Sequence, residues 1–106
     1  MSVKYINCDR SITFLYSYNI TKDRYEEMAT IYSLKGDIVL FPSSFFDYEK
    51  YSITEEEKDR ADFERLDICD ELVIFTKNGI KNNKIEMMER RANMLHKKVT
   101  HLIDTD

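Results

Sequence analysis

Apolar positions along the chain switch between two spacings, and the switches divide it into strands and helices. "SITFLYSY" (11–18) is dense in β-branched and aromatic residues and predicts a strand. "TKDRYEEMATIYSLKG" (21–36) then sets Tyr25, Met28, Ala29 and Tyr32 on one helical face, with Thr21 suited to cap that helix and Gly36 to end it. "DIVLFP" (37–42) predicts a short buried strand closed by Pro42, and "SSFFDYEKYS" (43–52) an aromatic loop. "TEEE" (54–57) is a capping-box pattern: Thr54 can accept from the third helical amide while Glu57 reaches back, and the first-turn acids suit the helix dipole. This helix is expected to run to about Ile68. "ELVIFT" (71–76) follows as a strand, Ile85, Met88, Ala92 and Leu95 form the stripe of a last helix, and "KKVTHLI" (97–103) closes as a strand. "VKYIN" (3–7) reads as an additional edge strand.

Strands alternating with amphipathic helices predict an α/β fold: one three-layer domain over residues 1–106, with a mainly parallel, flavodoxin-like sheet and helices on both faces. Two glycines, one proline and no internal repeat leave no room for a low-complexity linker. In open sheets of this kind ligands bind beyond the carboxyl ends of the strands. Those ends are residues 17–19, 43–46 and 77–83.

Composition narrows the function classes. Twenty acidic residues against 16 basic ones give a formal charge of -4, so non-specific attraction to nucleic acid or to a membrane surface has no electrostatic basis. Neither is expected as a partner. Cys8 and Cys69 are far apart, and no apolar run is long enough to span a bilayer. The expectation is a cytoplasmic protein with free thiols. His96 and His101 do not stand in zinc-ligand spacing with either cysteine, so neither a metal nor another cofactor is expected.

An ordered series of features carries a resemblance. "ITFLYSYNITKDRYEEMATIYSLKGDIVLFPSSFF", "TEEEKDRADFERLDICDELVIFTKNG" and "MMERRANMLHKKV" together resemble the small nucleoside 2-deoxyribosyltransferase-like proteins over residues 11–103. The resemblance implies a nucleoside or nucleotide ligand and chemistry at an N-glycosidic bond. A glutamate of the last helix would form the covalent glycosyl intermediate, with other acids and hydroxyls orienting the sugar and protonating the departing base. It also implies a homodimer or higher homo-oligomer. Two departures stand out: Tyr16 precedes Ser17 where the family has Gly, and a gapless match puts Met88 at the nucleophile's position. Glu86 and Glu89 flank Met88, but one residue of helix rotates a side chain by about 100°. Either would be equivalent only after a register shift, which would make Glu89 the nucleophile. The helical spacing reads Met88 as a core residue and the two glutamates as solvated charges.

The candidate ligand-binding residues are Ser17, Tyr18, Phe45, Asp62, Asp67, Asn78, Gly79, Asn82 and Asn83. Asp67 and Asp70 match the family's D-x-x-D feature, while Asp70 also suits a turn and Asp62 also suits an exposed helix face. Gly79 allows a positive backbone angle, and Asn82 or Asn83 can cap the last helix, so turn chemistry accounts for all four residues of 78–83 without a ligand; free amides at a helix start also suit a phosphate or sugar hydroxyl. Tyr18, Phe45 and Phe46 can sandwich a nucleobase, cover the core's edge, or pair two subunits. His96 reads as a surface residue compatible with the helix dipole. Three functions follow: a nucleoside- or nucleotide-binding protein with possible glycosidic chemistry, a non-catalytic self-associating interaction protein that has lost the nucleophile, or another enzyme on the same topology.

Overall fold

A computed structural model describes residues 11–45 and 48–105, with the backbone alone for 48 and 49. The edge strand expected at 3–7, Cys8 and Phe46 lie outside the described residues. The elements are β1 (Ile12–Tyr18), α1 (Lys22–Leu34), β2 (Ile38–Leu40), a 3-10 turn (Ser43–Phe45), the short α2 (Tyr48–Tyr51), α3 (Glu55–Ile68), β3 (Glu71–Lys77), α4 (Asn83–Met94) and β4 (Lys98–Asp104). All strand pairs are parallel, in the order β2-β1-β3-β4. The α/β fold with a flavodoxin-like parallel sheet is therefore as the alternating pattern predicts.

The period-2 pleat sorts the strand residues between two cores. Phe14, Tyr16, Leu72 and Ile74 face one side, where they pack with Leu66 of α3 and Ile85, Met88 and Ala92 of α4. Leu15, Val73 and Phe75 face the other, against Tyr25, Ala29 and Tyr32 of α1. Both faces of β1 and β3 are thus buried, which explains why their sequences are continuous apolar runs. The Tyr25 hydroxyl, buried with its ring, donates to Leu15 O at 2.7 Å, and burial holds its pKa far above the ordinary tyrosine value.

Turn chemistry sets the element ends. Thr21 caps α1, accepting from Arg24 N. Gly36, at φ +96, closes α1 with paired bonds from Gly36 N to Ser33 O and from Asp37 N to Tyr32 O. The same closure ends α4, with His96 at φ +56 in the glycine position. That turn carries the chain off the helix axis, so Leu95 is largely exposed rather than continuing the buried stripe. β2 is shorter than the 37–42 expected, because Phe41 and Pro42 leave the ladder and Pro42 O accepts from Phe45 N to start the next turn. No helix among the described residues is long and apolar enough to cross a membrane.

The Thr54 capping box of α3 is complete, with the side chain of each partner bonding the other's backbone. Thr54→Ala is expected to lower unfolding free energy by about 1 kcal/mol, read as a shifted urea midpoint at unchanged slope.

Candidate functional site

The strand order reverses between β1 and β3: β1 leads into α1 on one face and β3 into α4 on the other. Neighbouring strands whose connections depart to opposite faces leave a crevice above their carboxyl ends. A cleft of about 490 Å³ occupies this place, lined by Asn19, Thr21, Arg24, Lys77, Asp104 and Thr105. Asp104, at the end of β4, accepts from Arg24 at 3.0 Å, and Lys77 lies 3.9 Å away. The hydrogen bonds to Asp104 and Glu27 hold the Arg24 guanidinium pKa above its ordinary value, so it is cationic at any pH at which the protein folds.

On the α3 and α4 side, one buried carboxylate joins three chain segments. Asp62 is 1% exposed. Its Oδ1 accepts from Ser43 N at 2.7 Å, and its Oδ2 from Ser43 Oγ at 2.7 Å and from Lys84 Nζ at 2.5 Å. Lys84 also meets Asp59 at 2.8 Å and lies 5.7 Å from the centre of the Tyr16 ring. Burial raises the Tyr16 pKa, with Lys84 opposing the rise and Asn82 a smaller influence, so the phenol stays protonated at neutral pH. The post-β2 turn, α3, the start of α4 and the end of β1 thereby form one polar cluster.

The loop from β3 to α4 is fixed by its own residues. Asn78 and Gly79 have φ of +54 and +75, and Ile80 N donates to Lys77 O, which makes a type I′ turn. A Cβ on Gly79 would meet Ile103 Cδ1 at 3.5 Å, so here the positive φ, more than the space, favours glycine. Asn78 N donates to Asp104 O, and Asn82 rather than Asn83 caps α4, accepting from Ile85 N at 2.8 Å.

The candidate residues therefore separate. Tyr18, Asn78, Gly79, Asn82 and Asn83 surround the carboxyl ends of β1 and β3, and Asp62 is joined to them through Lys84 and Asn82. Ser17, one residue before the end of β1, shares the α1 face with Leu15. Phe45 packs beneath Phe41 and against Tyr25, with ring centroids 5.4 and 4.4 Å away, in the α1 core. Asp67 sits at the far end of α3, clamped by Arg91 at 2.7 and 2.8 Å, and does not join the cluster; the same pair holds its pKa below the ordinary carboxylate value. Asp70 also belongs to that far end, where it accepts from Ile12 N. Met88 is wholly buried and Glu86 is exposed. Glu89 lies about 9 Å along α4 from its first residue, beside Lys81 at 2.9 Å and His101 at 3.9 Å.

The sequence reading did not single out Tyr16, Asp59 and Lys84 of the cluster, or Arg24 and Asp104 of the cleft, as ligand-site residues. Lys84 carried a legible signal, since a cation in the first turn of a helix opposes the dipole and calls for an acidic partner. No family model, curated protein or solved structure matches the chain.

Asp62→Ala would leave both Ser43 donors without their acceptor and the Lys84 ammonium with Asp59 alone, so a loss of about 3 kcal/mol in chemical unfolding is expected. Lys84→Met keeps both Ser43 bonds but leaves the buried Asp62 carboxylate without its cation, so a comparable loss is expected. The Lys84 pKa is pulled down by burial and pushed up more strongly by its bonds to Asp59 and Asp62. Its folded value exceeds the unfolded one, so this stabilisation is full at neutral pH and disappears as pH rises through the folded value. Above pH 10 Lys84→Met should lose less stability than the parent protein, in unfolding followed by circular dichroism.

Proposed function

We propose that the protein binds a nucleoside or nucleotide in the crevice above β1 and β3, and that it performs no covalent glycosyl transfer. The observation that carries the reading is the cleft at the reversal of strand order. Its volume falls in the range of small-molecule sites, and its lining residues are all polar or charged, with Arg24 and Lys77 on either side of Asp104. Such a lining suits hydroxyls and a phosphate better than an apolar ligand.

The non-catalytic part of the proposal rests on the carboxylates. A glycosyl-transfer nucleophile must sit against the anomeric carbon with an oxygen available for attack. Asp62 has both oxygens committed to Ser43 and Lys84. Glu89 sits between Lys81 of the β3–α4 loop and His101 of β4, and Glu86 projects into solvent. Asp104 is paired with Arg24.

A deoxynucleoside monophosphate at 100 times its Kd should stabilise the fold by about 2.7 kcal/mol, read as a rise in melting temperature. Arg24→Met should weaken that ligand about tenfold, and a nucleoside without phosphate much less. Hydrolysis and base exchange should be undetectable by chromatography of the same mixtures; activity abolished by Glu89→Ala would overturn the non-catalytic reading. Met88→Glu should destabilise the fold by several kcal/mol (about 3) rather than restore chemistry, since it buries a carboxylate with no partner. An absence of stabilisation across the common deoxynucleosides and deoxynucleotides would remove the ligand class itself.

A further inference from the structure

Asp104 holds the point on which the cations of the cleft converge. It ends β4 opposite Lys77, the last residue of β3, and the bond from Asn78 N to Asp104 O fixes its backbone there. Its carboxylate spans two cations: Arg24 Nη2 is 3.0 Å from Oδ1, and Lys77 Nζ is 3.9 Å from Oδ2. Glu27 meets the other Nη of Arg24 at 2.7 Å. These four charges cancel, so they give an anionic ligand no net attraction while Asp104 stays in place.

Arg24 itself calls for an anion. It lies in the first turn of α1, where a cation opposes the helix dipole. Its guanidinium lies 6.0 Å from the centre of the buried Phe75 ring, a contact that steadies it whichever anion it meets. The Arg24 side chain is 43% exposed and that of Asp104 16%, and an ion pair open to water on one side is readily exchanged. Rotation about the first side-chain torsion of Asp104 swings the carboxylate aside without breaking the β4 ladder. Arg24 Nη2 and Lys77 Nζ then face a phosphate, which offers three oxygens and about two charges where the carboxylate offers two oxygens and one charge.

We propose that Asp104 is a resident competitor for the ligand's phosphate. The phosphate takes the carboxylate's place against Arg24 and Lys77, and the charge of Asp104 sets how strongly a phosphorylated nucleoside is preferred over an unphosphorylated one. Asp104 thus determines specificity by repulsion, lowering the affinity of one ligand form while leaving the other almost untouched. This rests on the crevice being the nucleotide site, and adds to that reading the residue that decides its phosphate preference.

Isothermal titration calorimetry on the whole chain, with inorganic phosphate, a deoxynucleoside and its monophosphate, tests the proposal. Asp104→Asn keeps the shape and removes the charge. It should bind inorganic phosphate and the monophosphate about tenfold tighter than the parent protein, with the deoxynucleoside changed by less than about twofold, as expected for loss of a like charge roughly 4 Å away. Adding Arg24→Met to Asp104→Asn should abolish the gain. If Asp104→Asn fails to fold by circular dichroism, Asp104→Ser, which also removes the charge, decides. An uncharged variant that binds phosphate and the monophosphate no better than the parent protein would overturn the proposal, even where the parent binds the nucleotide. A gain in phosphate binding with no deoxynucleoside bound by either protein would instead remove the nucleoside reading and support the role of Asp104.

Discussion

A single buried carboxylate sets the arrangement of the site. Asp62 comes from the middle of α3, where a solvated charge would be the ordinary outcome, yet it lies in the interior with every oxygen engaged. Burying a carboxylate carries a desolvation cost of several kcal/mol, roughly, offset only by good geometry and full hydrogen bonding. Two Ser43 donors and the Lys84 ammonium meet that condition. The consequence reaches beyond α3, because Ser43 fixes the turn after β2 and Lys84 fixes the start of α4. Displacing either partner leaves a charge or a donor without its bond, so the two loops are positioned together.

This pinning lies at the end of the sheet where the strand order reverses. The reversal of strand order at β1 and β3 opens a crevice, and the loops around it come from different crossovers. On the α4 side the Asn78–Gly79 turn, the Asn82 cap and the Asp62 cluster fix the loop after β3, which meets the cleft where Asn78 N donates to Asp104 O. On the α1 side Arg24 and Asp104 close across from helix to strand. The opposite end of the sheet is joined by different groups, with Arg91 and Lys97 gathering the Asp67 carboxylate and the carbonyls of Asp67 and Cys69. The cations at that end serve the packing of α3 against α4 and β4.

The sheet and its helices were legible because the signals are local. β1 and β3 are uninterrupted apolar runs, Thr21 and Thr54 sit at true caps, and the stripes of α1 and α4 match their buried faces. Where the reading of an element's end erred, a turn was responsible: Leu95 falls outside the stripe because His96 adopts a left-handed conformation usually left to glycine. The site was only partly legible. Asp62 stood out as a candidate, but its partners Ser43 and Lys84 lie 19 and 22 residues away, and no periodicity relates residues across separate crossovers. Asp67 shares a helix with Asp62, but the length of α3 sends it to the wrong end of the sheet. Sequence spacing along a helix gives direction around its axis more readily than which end meets the ligand.

The central claim is that a nucleotide occupies the crevice whose walls these contacts hold. A two-dimensional amide NMR titration with a deoxynucleoside monophosphate tests it most directly. The account predicts shifts confined to residues 18–24, 77–84 and 104–105, with Asp67, Arg91 and Lys97 unmoved. Shifts centred on the far end of α3 or on the groove between α1 and β2, with residues 77–84 unmoved, would contradict it.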